Sequence, residues 1–378
     1  MAERQEALST LHPWAWWTWA IGVGLAVSAT TNPLLLTLLG LATVVVVVLR
    51  RTGAPWARSL RAYLLLSLVV IGVRMVFQIL IGGGSGETVL FTLPELPLPE
   101  WAAGIRLGGP VTAEALVATF YDALRLSVML LCIGAANALA NPRQALRSVP
   151  AALYEASVAV VIALSVAPQL IESGLRVRRA RRLRGDPARG LKAWATVALP
   201  VLADAIDRSM ALAAGMEARG FARTRGLPIA GTLPLMLGSV STALVGAFLL
   251  LSTDFWVVAV SALVVGVAGT AAGLRRAGAR LRVTSYRPHP WTWRSTGVAL
   301  SGPLAAVVVF GIGMTDVGYD VLHPSTDPLV WPQLTLAMLV AAAICLVPLP
   351  LTIPPRFVVV DTVRSDSRVR GLRAGVGP

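Results

Sequence analysis

Cysteine and histidine are scarce in this chain of 378 residues. The two cysteines, Cys132 and Cys345, both fall within apolar runs, so the sequence indicates neither a disulfide framework nor a pair of metal ligands. The three histidines, His12, His289 and His323, lie near the ends of apolar runs or in loops, without the spacing of metal ligands. We therefore expect no metal site in this chain.

Charged residues are also few. They make up 14% of the chain, whereas hydrophobic residues make up 56% and the mean hydropathy is +0.71. This composition is far from that of an average soluble protein. The apolar residues are gathered in repeated runs of about 20, the length that crosses a bilayer as a helix. The N-terminus lacks a basic segment followed by a small-residue cleavage site, so we expect no signal peptide.

The positive charge is carried almost entirely by arginine, because Lys192 is the only lysine. The net charge of +14 on its own would be compatible with nucleic-acid binding. However, the arginines lie in short clusters between the apolar runs, which is the pattern of loops on the cytoplasmic side of a membrane. We therefore expect a lipid bilayer as the environment and no nucleic-acid partner.

Eight apolar runs predict an all-α membrane protein with about eight transmembrane helices. Counting crossings from the arginine clusters puts both termini in the cytoplasm and predicts a multi-pass protein of the cytoplasmic membrane. Residues 82–100, rich in glycine and proline and acidic, are predicted to form an external loop. The runs cover residues 14–29, 34–49, 62–81, 115–139, 233–251, 255–274, 298–314 and 331–347.

A further apolar stretch, residues 151–171, allows two interpretations. It is apolar enough to span, yet arginines flank it on both sides, at Arg147 and from Arg176 onward, and a single crossing would put one cluster outside. We favour a cytoplasmic-side domain of amphipathic helices that lie on or dip into the membrane. The predicted domains are therefore residues 1–140, 141–226 and 227–378.

The sequence contains no catalytic constellation. Residues 82–86 are glycine-rich but lack the Lys-Ser/Thr ending of a phosphate-binding loop, so we expect no cofactor in this chain. Three charges fall inside predicted spans, at Arg74, Asp122 and Arg125. Such charges face protein or water. They form either a polar surface for a partner subunit or, as we favour, an internal salt bridge that holds helices together. Asp122 could pair with Arg125 one turn further on or with Arg74 on the neighbouring helix.

Two predicted helices end in an arginine followed by a glycine. Residues 199–221 read as a helix with Pro200 at its start and the motif Met-Glu-Ala-Arg-Gly-Phe of residues 216–221 at its end, and a loop signal at residues 185–187 precedes this second helix. Within it, Asp204 and Arg208 are four residues apart and can pair across one turn. Upstream, residues 178–185 repeat the arrangement, an apolar helix that turns basic and stops at Arg-Gly. Arginine is stabilised at a helix C-terminus and projects outward from it. The sequence thus predicts two cationic helix tips, although an arginine can also simply anchor a loop.

These residues resemble a known family. Residues 200–204, Arg208-Ser209 and the 216–221 motif look like the signature of the transmembrane T component of energy-coupling factor importers, a family that includes the membrane subunit of cobalt importers. Asn141-Pro142 and Asn32-Pro33 are similar to further family segments. The family carries two Ala-Arg-Gly-type motifs, and here the first reads Leu-Arg-Gly. The resemblance covers roughly residues 10–250.

The resemblance implies a non-catalytic subunit of an ATP-driven vitamin or metal-ion importer. Two cytoplasmic ABC ATPase subunits would bind ATP and Mg²⁺, and a separate small membrane protein would capture the substrate. The resemblance places ATPase coupling at Arg181, Leu183, Arg184, Gly185, Glu217, Ala218, Arg219 and Gly220. Contact with the capture subunit is expected at Ala211, Ala214, Gly215 and Arg125.

Three other functions stay open at the level of sequence. An ordinary ABC permease subunit with its own substrate pathway would carry one coupling motif and polar residues along several spans. A membrane-embedded enzyme would need clustered Asp, His or Glu at membrane depth, where only Asp122 qualifies. A structural or regulatory protein would bind anionic lipid through its basic loops. The transported substrate follows from none of these residues.

Overall fold

The structure is a computed structural model that describes residues 11–51, 59–81, 86–96, 107–140, 142–149, 153–185, 191–220, 233–252, 255–279 and 291–352. Within these ranges the chain is almost entirely helical, as predicted. The helices are α1 (Pro13–Ser28), α2 (Pro33–Arg50), α3 (Ser59–Ile81), α4 (Ala113–Leu139), α5 (Pro142–Arg147), α6 (Tyr154–Leu183), α7 (Leu191–Ala218), α8 (Leu233–Ser252), α9 (Trp256–Ala279), α10 (Trp293–Gly313), α11 (Asp316–Leu322), α12 (Leu336–Cys345) and α13 (Pro348–Leu351).

The chain forms two compact units, one of Met1–Pro142 with His289–Pro378 and the other of Arg143–Pro288. The first unit contains the buried core, which lies between α1, α2, α4, α10 and α12. The predicted division at residues 1–140, 141–226 and 227–378 concerns function rather than packing, and it stays a prediction. The largest fully buried side chains include Trp19, Leu35, Leu36, Leu39 and Met338.

Glycine allows α1 and α10 to touch through their backbones. A methyl group added at Gly302 would overlap the backbone of Trp19, and one added at Gly22 would overlap the backbone of Gly302 and Pro303. Such close approach of small residues is how helices gain contact area inside a membrane. The indole N–H of Trp19 also donates to the carbonyl oxygen of Cys345, at 3.3 Å.

The turn between α1 and α2 is bonded to the C-terminal part of the chain. Asn32 caps α2, because its Oδ1 accepts from the backbone N–H of Leu34 at 3.0 Å, and Pro33 occupies the first helical position. The Nδ2 of Asn32 donates to the carbonyl oxygens of Val321 and Gln333, both at 2.8 Å. Asn32 is fully buried. One side chain therefore both starts a helix and holds the last helices in place.

Two short strands lie in the segment that the sequence predicted as a plain external loop. β1 (Val89–Leu96) and β2 (Leu107–Thr112) pair antiparallel, with Val89 opposite Thr112 and Leu93 opposite Gly109. Pro94 and Pro110 reduce the strand propensity of the sequence, so the hairpin was missed. The Oε1 of Glu114 in the first turn of α4 accepts from the backbone N–H of Thr88, at 3.1 Å, and ties the hairpin to the helix.

In the second unit, α8 and α9 pack against each other as an antiparallel pair. A methyl group added at Gly246 would overlap the backbone of Leu263, and one added at Gly266 would overlap the backbone of Ala243. The hydroxyls of Ser239 and Thr270 form a hydrogen bond of 3.1 Å between the two helices. The outward faces of both helices are apolar and exposed, as expected of helices in contact with lipid.

By length and composition, seven helices of the described chain can cross a membrane. Two predicted spans are shorter than expected: α1 has 16 residues, and the span predicted at 331–347 contains a helix only from Leu336, because Pro332 precedes it. Ala156–Leu183, which we predicted to stay at the membrane surface, is long and apolar enough to cross. That interpretation therefore stays a prediction.

The close contact of α1 and α10 predicts a large difference between two glycines of α10. Gly302→Ala should destabilise the protein by about 1–3 kcal/mol, because the added methyl group forces the backbone of Trp19 away. Gly311→Ala is the matched control, since nothing lies within 4 Å of a methyl group there. Thermal unfolding of both purified variants in detergent measures the effect. Equal melting temperatures for the two variants would contradict the packing.

The placement of α6 is tested by cysteine accessibility. In Arg147→Cys and Arg176→Cys variants, both thiols should react with a membrane-impermeant maleimide only from the cytoplasmic side, because we expect the intervening helix not to cross. Glu87→Cys, in the segment predicted to be external, supplies the positive control for labelling of intact cells. Labelling of only one of the two test positions from outside would show that α6 spans the bilayer.

Candidate functional site

Helix α6 ends at the first predicted Arg-Gly motif. Its last residue is Leu183, and Arg184 is the C-cap residue, whose backbone N–H lies 3.2 Å from the carbonyl oxygen of Ala180 and 3.1 Å from that of Arg181. Gly185 follows with a φ of +71°, the left-handed conformation that favours glycine. Nothing lies within 4 Å of a methyl group added at Gly185, so glycine is needed there for its conformation and not for space.

Helix α7 ends in the same way at the second motif. The helix stops at Ala218, Arg219 follows it, and Gly220 has a φ of +73°. The N–H of Gly220 donates to the carbonyl oxygen of Glu217 at 2.9 Å. A methyl group at Gly220 would also meet nothing within 4 Å. The two motifs therefore share one backbone geometry, in which an arginine stands between the last helical residue and a left-handed glycine.

The start of α7 agrees with one of two sequence expectations. The loop signal at residues 185–187 predicted a helix soon after it, and α7 begins at Leu191. The expectation that Pro200 starts the helix is wrong, because Pro200 lies inside it. Proline removes a single backbone N–H donor, and the residues before it, including Ala193, Trp194 and Ala195, are compatible with a helix. In a long helix with many other hydrogen bonds, that local cost is not enough to move the boundary.

Polar contacts show that α6 and α7 run antiparallel. The Arg181 guanidinium near the end of α6 donates to the hydroxyl of Thr196 near the start of α7. Ser173, earlier in α6, donates to the carboxylate of Asp204 at 2.7 Å. Gln169, earlier still, accepts from the guanidinium of Arg208 at 3.3 Å. Later residues of α7 thus contact earlier residues of α6.

Asp204 is the centre of this helix contact. Its carboxylate accepts two hydrogen bonds from Arg208, at 3.1 and 2.9 Å, so the predicted pair one turn apart is confirmed. The hydroxyl of Ser173 donates to the same carboxylate and is the largest cause that holds the pKa of Asp204 below its ordinary value, and Arg208 adds to the lowering. Ser173 and Gln169 were not predicted to take part, although they too are four residues apart and match the spacing of Asp204 and Arg208.

Because the helices are antiparallel, the two Arg-Gly motifs lie at opposite ends of the pair. At roughly 1.5 Å per helical residue, Arg184 lies about 22 Å from the Gln169–Arg208 contact in one direction, and Arg219 lies about 16 Å from it in the other. For straight helices, roughly 40 Å therefore separates the two arginines. One pair of helices presents two similar cationic tips to two distinct places.

The tips are exposed and combine charge with an apolar side chain. Leu183 is 90% exposed beside Arg184, and Arg181 and Arg182 lie in the same last turn of α6. On α7, Glu217, Ala218 and Arg219 are all exposed. An exposed arginine on a fixed helix end can make charge-assisted hydrogen bonds to carboxylates or main-chain carbonyls of a second protein.

The predicted small-residue surface lies on α7. Ala211, Ala214 and Gly215 are all exposed, and their spacing of three and four residues places them on one side of the helix. Nothing lies within 4 Å of a methyl group added at Gly215, so a second backbone can approach closely there. That surface is open in the structure of the chain itself.

Arg125 belongs to the other compact unit. Its guanidinium lies 3.9 Å from the carboxylate of Asp122, one turn earlier in α4, and the two side chains are 37% and 49% exposed. Asp122 and Arg125 therefore pair within one helix, and this pair does not itself join two helices. The alternative pairing of Asp122 with Arg74 is not found, and Arg74 has no ion-pair partner among the residues that the structure describes.

The described residues contain no group of three or more His, Cys, Asp or Glu side chains that could hold a metal ion. Helices long enough to cross a bilayer define a multi-pass membrane protein, and one of its helix pairs ends in two exposed Arg-Gly motifs. The sequence model of the cobalt transport protein family, CbiQ, matches residues 5–230, which is more than half of the chain. The chain belongs to this family, the family of the T components of energy-coupling factor importers. A search of curated proteins found no match to this chain.

Acid should loosen the α6–α7 contact. The pKa of Asp204 is lower in the folded protein than in the unfolded chain, where it is about 4. The ionised carboxylate therefore stabilises the contact fully at a pH above about 4, and this stabilisation is lost as the pH falls through the lowered pKa. Spin labels at Leu175 and Leu199, which are exposed, should give a broader distance distribution near pH 3 than near pH 7.

Two variants and one further label pair control this measurement. Asp204→Asn should give the broad distribution at both pH values, whereas Asp207→Asn should behave as the unmodified chain, because Asp207 is exposed and forms no ion pair within the described residues. Labels at Val240 and Val267 on α8 and α9 report whether the unit stays folded. A pH effect that persists in Asp204→Asn would assign the change to another group.

Proposed function

We propose that this chain is the energy-coupling transmembrane subunit, the T component, of an energy-coupling factor importer. The observation that carries the proposal is the placement of two Arg-Gly helix ends with the same backbone geometry at opposite ends of one antiparallel helix pair. Two similar helix ends can each bind one of two similar partners, and an ABC-type importer has two ATPase subunits. Membership of the cobalt transport protein family supports the same function.

In this function each arginine tip binds one ATPase subunit. Arg184 with Leu183 would enter a groove of one subunit, and Arg219 would enter the equivalent groove of the other, about 40 Å away. The arginine forms charge-assisted hydrogen bonds there, and at the first tip the exposed leucine contributes apolar contact. ATP and Mg²⁺ are bound by the partner ATPases, and this chain supplies no catalytic group.

Closure of the ATPase dimer would then change the distance between the two tips. The α6–α7 contact can accommodate such movement, because its hydrogen bonds are partly exposed and few side chains interlock around it. The movement would reach a substrate-capture subunit through the surface formed by Ala211, Ala214 and Gly215, where close backbone approach is possible. This chain would thereby transmit closure of the ATPases to the substrate-capture subunit.

The location and cargo follow from the same proposal. The two tips face the cytoplasm, where the ATPases are, and the chain lies in the cytoplasmic membrane with both termini inside. The substrate is captured by the partner membrane protein, so its identity is a property of that subunit. The family description makes a cobalt ion the first substrate to test, and vitamins are the second.

Arg184→Ala and Arg219→Ala should each weaken ATPase binding and uptake while leaving membrane insertion intact. Loss of one desolvated, charge-assisted contact should cost on the order of 2–5 kcal/mol of binding free energy. The measurements are the amount of ATPase that co-purifies with the tagged chain and the uptake of radioactive cobalt by cells that carry the complete importer.

Arg179→Ala is the matched control, because Arg179 is an exposed arginine of the same helix that precedes the tip by more than one turn. It should retain full ATPase content and uptake. Normal ATPase content and transport in both tip variants would exclude the coupling role. Equal losses in the tip variants and in the control would instead indicate a general electrostatic effect of the basic helix.

A further inference from the structure

Arg74 places a positive charge on an apolar, exposed helix surface. It lies in α3, whose residues Leu60–Ile81 are long and apolar enough to cross the membrane and of which only 6% is buried within the chain. Arg74 is exposed, and Phe77 and Ile81, one and two turns further on, are 57% and 38% exposed. We call Arg74, Phe77 and Ile81 the Arg74 surface.

The position of Arg74 in α3 makes escape of its charge to water difficult. Its Cα lies about 10 Å along the helix from Ile81, the nearer end, and roughly 22 Å from Ser59. Side chains of a helix are tilted toward its N-terminus. The Arg74 side chain therefore leans toward the middle of the bilayer and away from the nearer membrane surface, so that snorkelling is opposed by the helix geometry.

Among the residues that the structure describes, no acidic side chain forms an ion pair with Arg74. Helix α4 packs against α3, where the hydroxyls of Ser67 and Ser127 each donate to the backbone carbonyl of the other at 3.1 Å. The acidic residue of α4 at membrane depth, Asp122, pairs with Arg125 at 3.9 Å. Helices α3 and α4 together carry three arginines, Arg61, Arg74 and Arg125, and two acidic residues, Glu114 and Asp122. Away from the helix ends, the unpaired positive charge among the described residues of this pair is that of Arg74.

We propose that the Arg74 surface docks a helix of a second membrane protein through an aspartate or glutamate that pairs with Arg74. This inference rests on the proposed function, and the occupant is the substrate-capture subunit. A carboxylate matches the planar guanidinium by two parallel hydrogen bonds, and in lipid such a pair replaces an uncompensated charge. The apolar Phe77 and Ile81 supply the packing around it.

The experiment uses the complete complex. The tagged chain is produced with the two ATPases and, one at a time, with each small multi-span membrane protein of the same genome, and is then reconstituted in phosphatidylcholine nanodiscs. Arg74→Gln and Arg74→Glu should reduce the co-purified capture subunit by about tenfold, with ATPase content unchanged. Arg61→Gln, an exposed arginine at the start of the same helix, should have no effect. Replacement of the partner's intramembrane carboxylate by arginine should restore binding to Arg74→Glu.

Each of the following outcomes would overturn the inference. Unchanged capture-subunit content in both Arg74 variants removes the docking role. Intact assembly with loss of bound phosphatidylglycerol in nanodiscs that contain it would assign Arg74 to a lipid phosphate. Loss of a dimer of this chain would assign it to a second copy. Absence of ATPase and capture-subunit binding by the unmodified chain would overturn the proposed function itself, and the inference with it.

Discussion

The bilayer requires every backbone N–H and C=O at membrane depth to be bonded within the protein, and most features of this structure follow from that requirement. Helices satisfy it locally, which is why the described chain is helical apart from one hairpin. Buried polar side chains bond backbone groups that the helices leave unpaired: Asn32, in the turn between α1 and α2, caps α2 and donates to the carbonyl oxygens of Val321 and Gln333. Prolines inside α6, α7 and α10 are tolerated because the remaining hydrogen bonds keep each helix intact.

The last helices extend beyond the residues that match the family, yet they are part of the core. Residues 5–230 match the cobalt transport protein family, whereas α10 and α12 lie after them. Gly302 meets the backbone of Trp19, and Cys345 accepts a hydrogen bond from its indole. The C-terminal helices therefore cover a side of α1 that the family region alone would leave open, and this leaves α3 as the exposed side of the first unit.

Helices α6 and α7 combine ends of fixed backbone geometry with a polar contact that is partly exposed. At each end a left-handed glycine fixes the arginine just past the last helical turn. Between the ends, Asp204 bonds Ser173 and Arg208, and Gln169 adds one bond, all of them partly exposed to solvent. Exposed ion pairs contribute little stability, so this contact can rearrange without large cost. Two helix ends of fixed backbone geometry, joined by a contact that can rearrange, suit the proposed transmission of movement between two partners.

The sequence by itself determined the membrane class, both Arg-Gly helix ends and the Asp204–Arg208 pair, because hydropathy, left-handed glycines and contacts one turn apart are local properties. It did not determine the hairpin of β1 and β2, the start of α7 at Leu191 or the roles of Ser173 and Gln169. Tertiary structure alone decided that α6 and α7 are antiparallel and that the tips lie at opposite ends. It also decided that Arg74 is exposed and unpaired among the described residues, because a charge pattern along the chain does not show which residues another helix brings near.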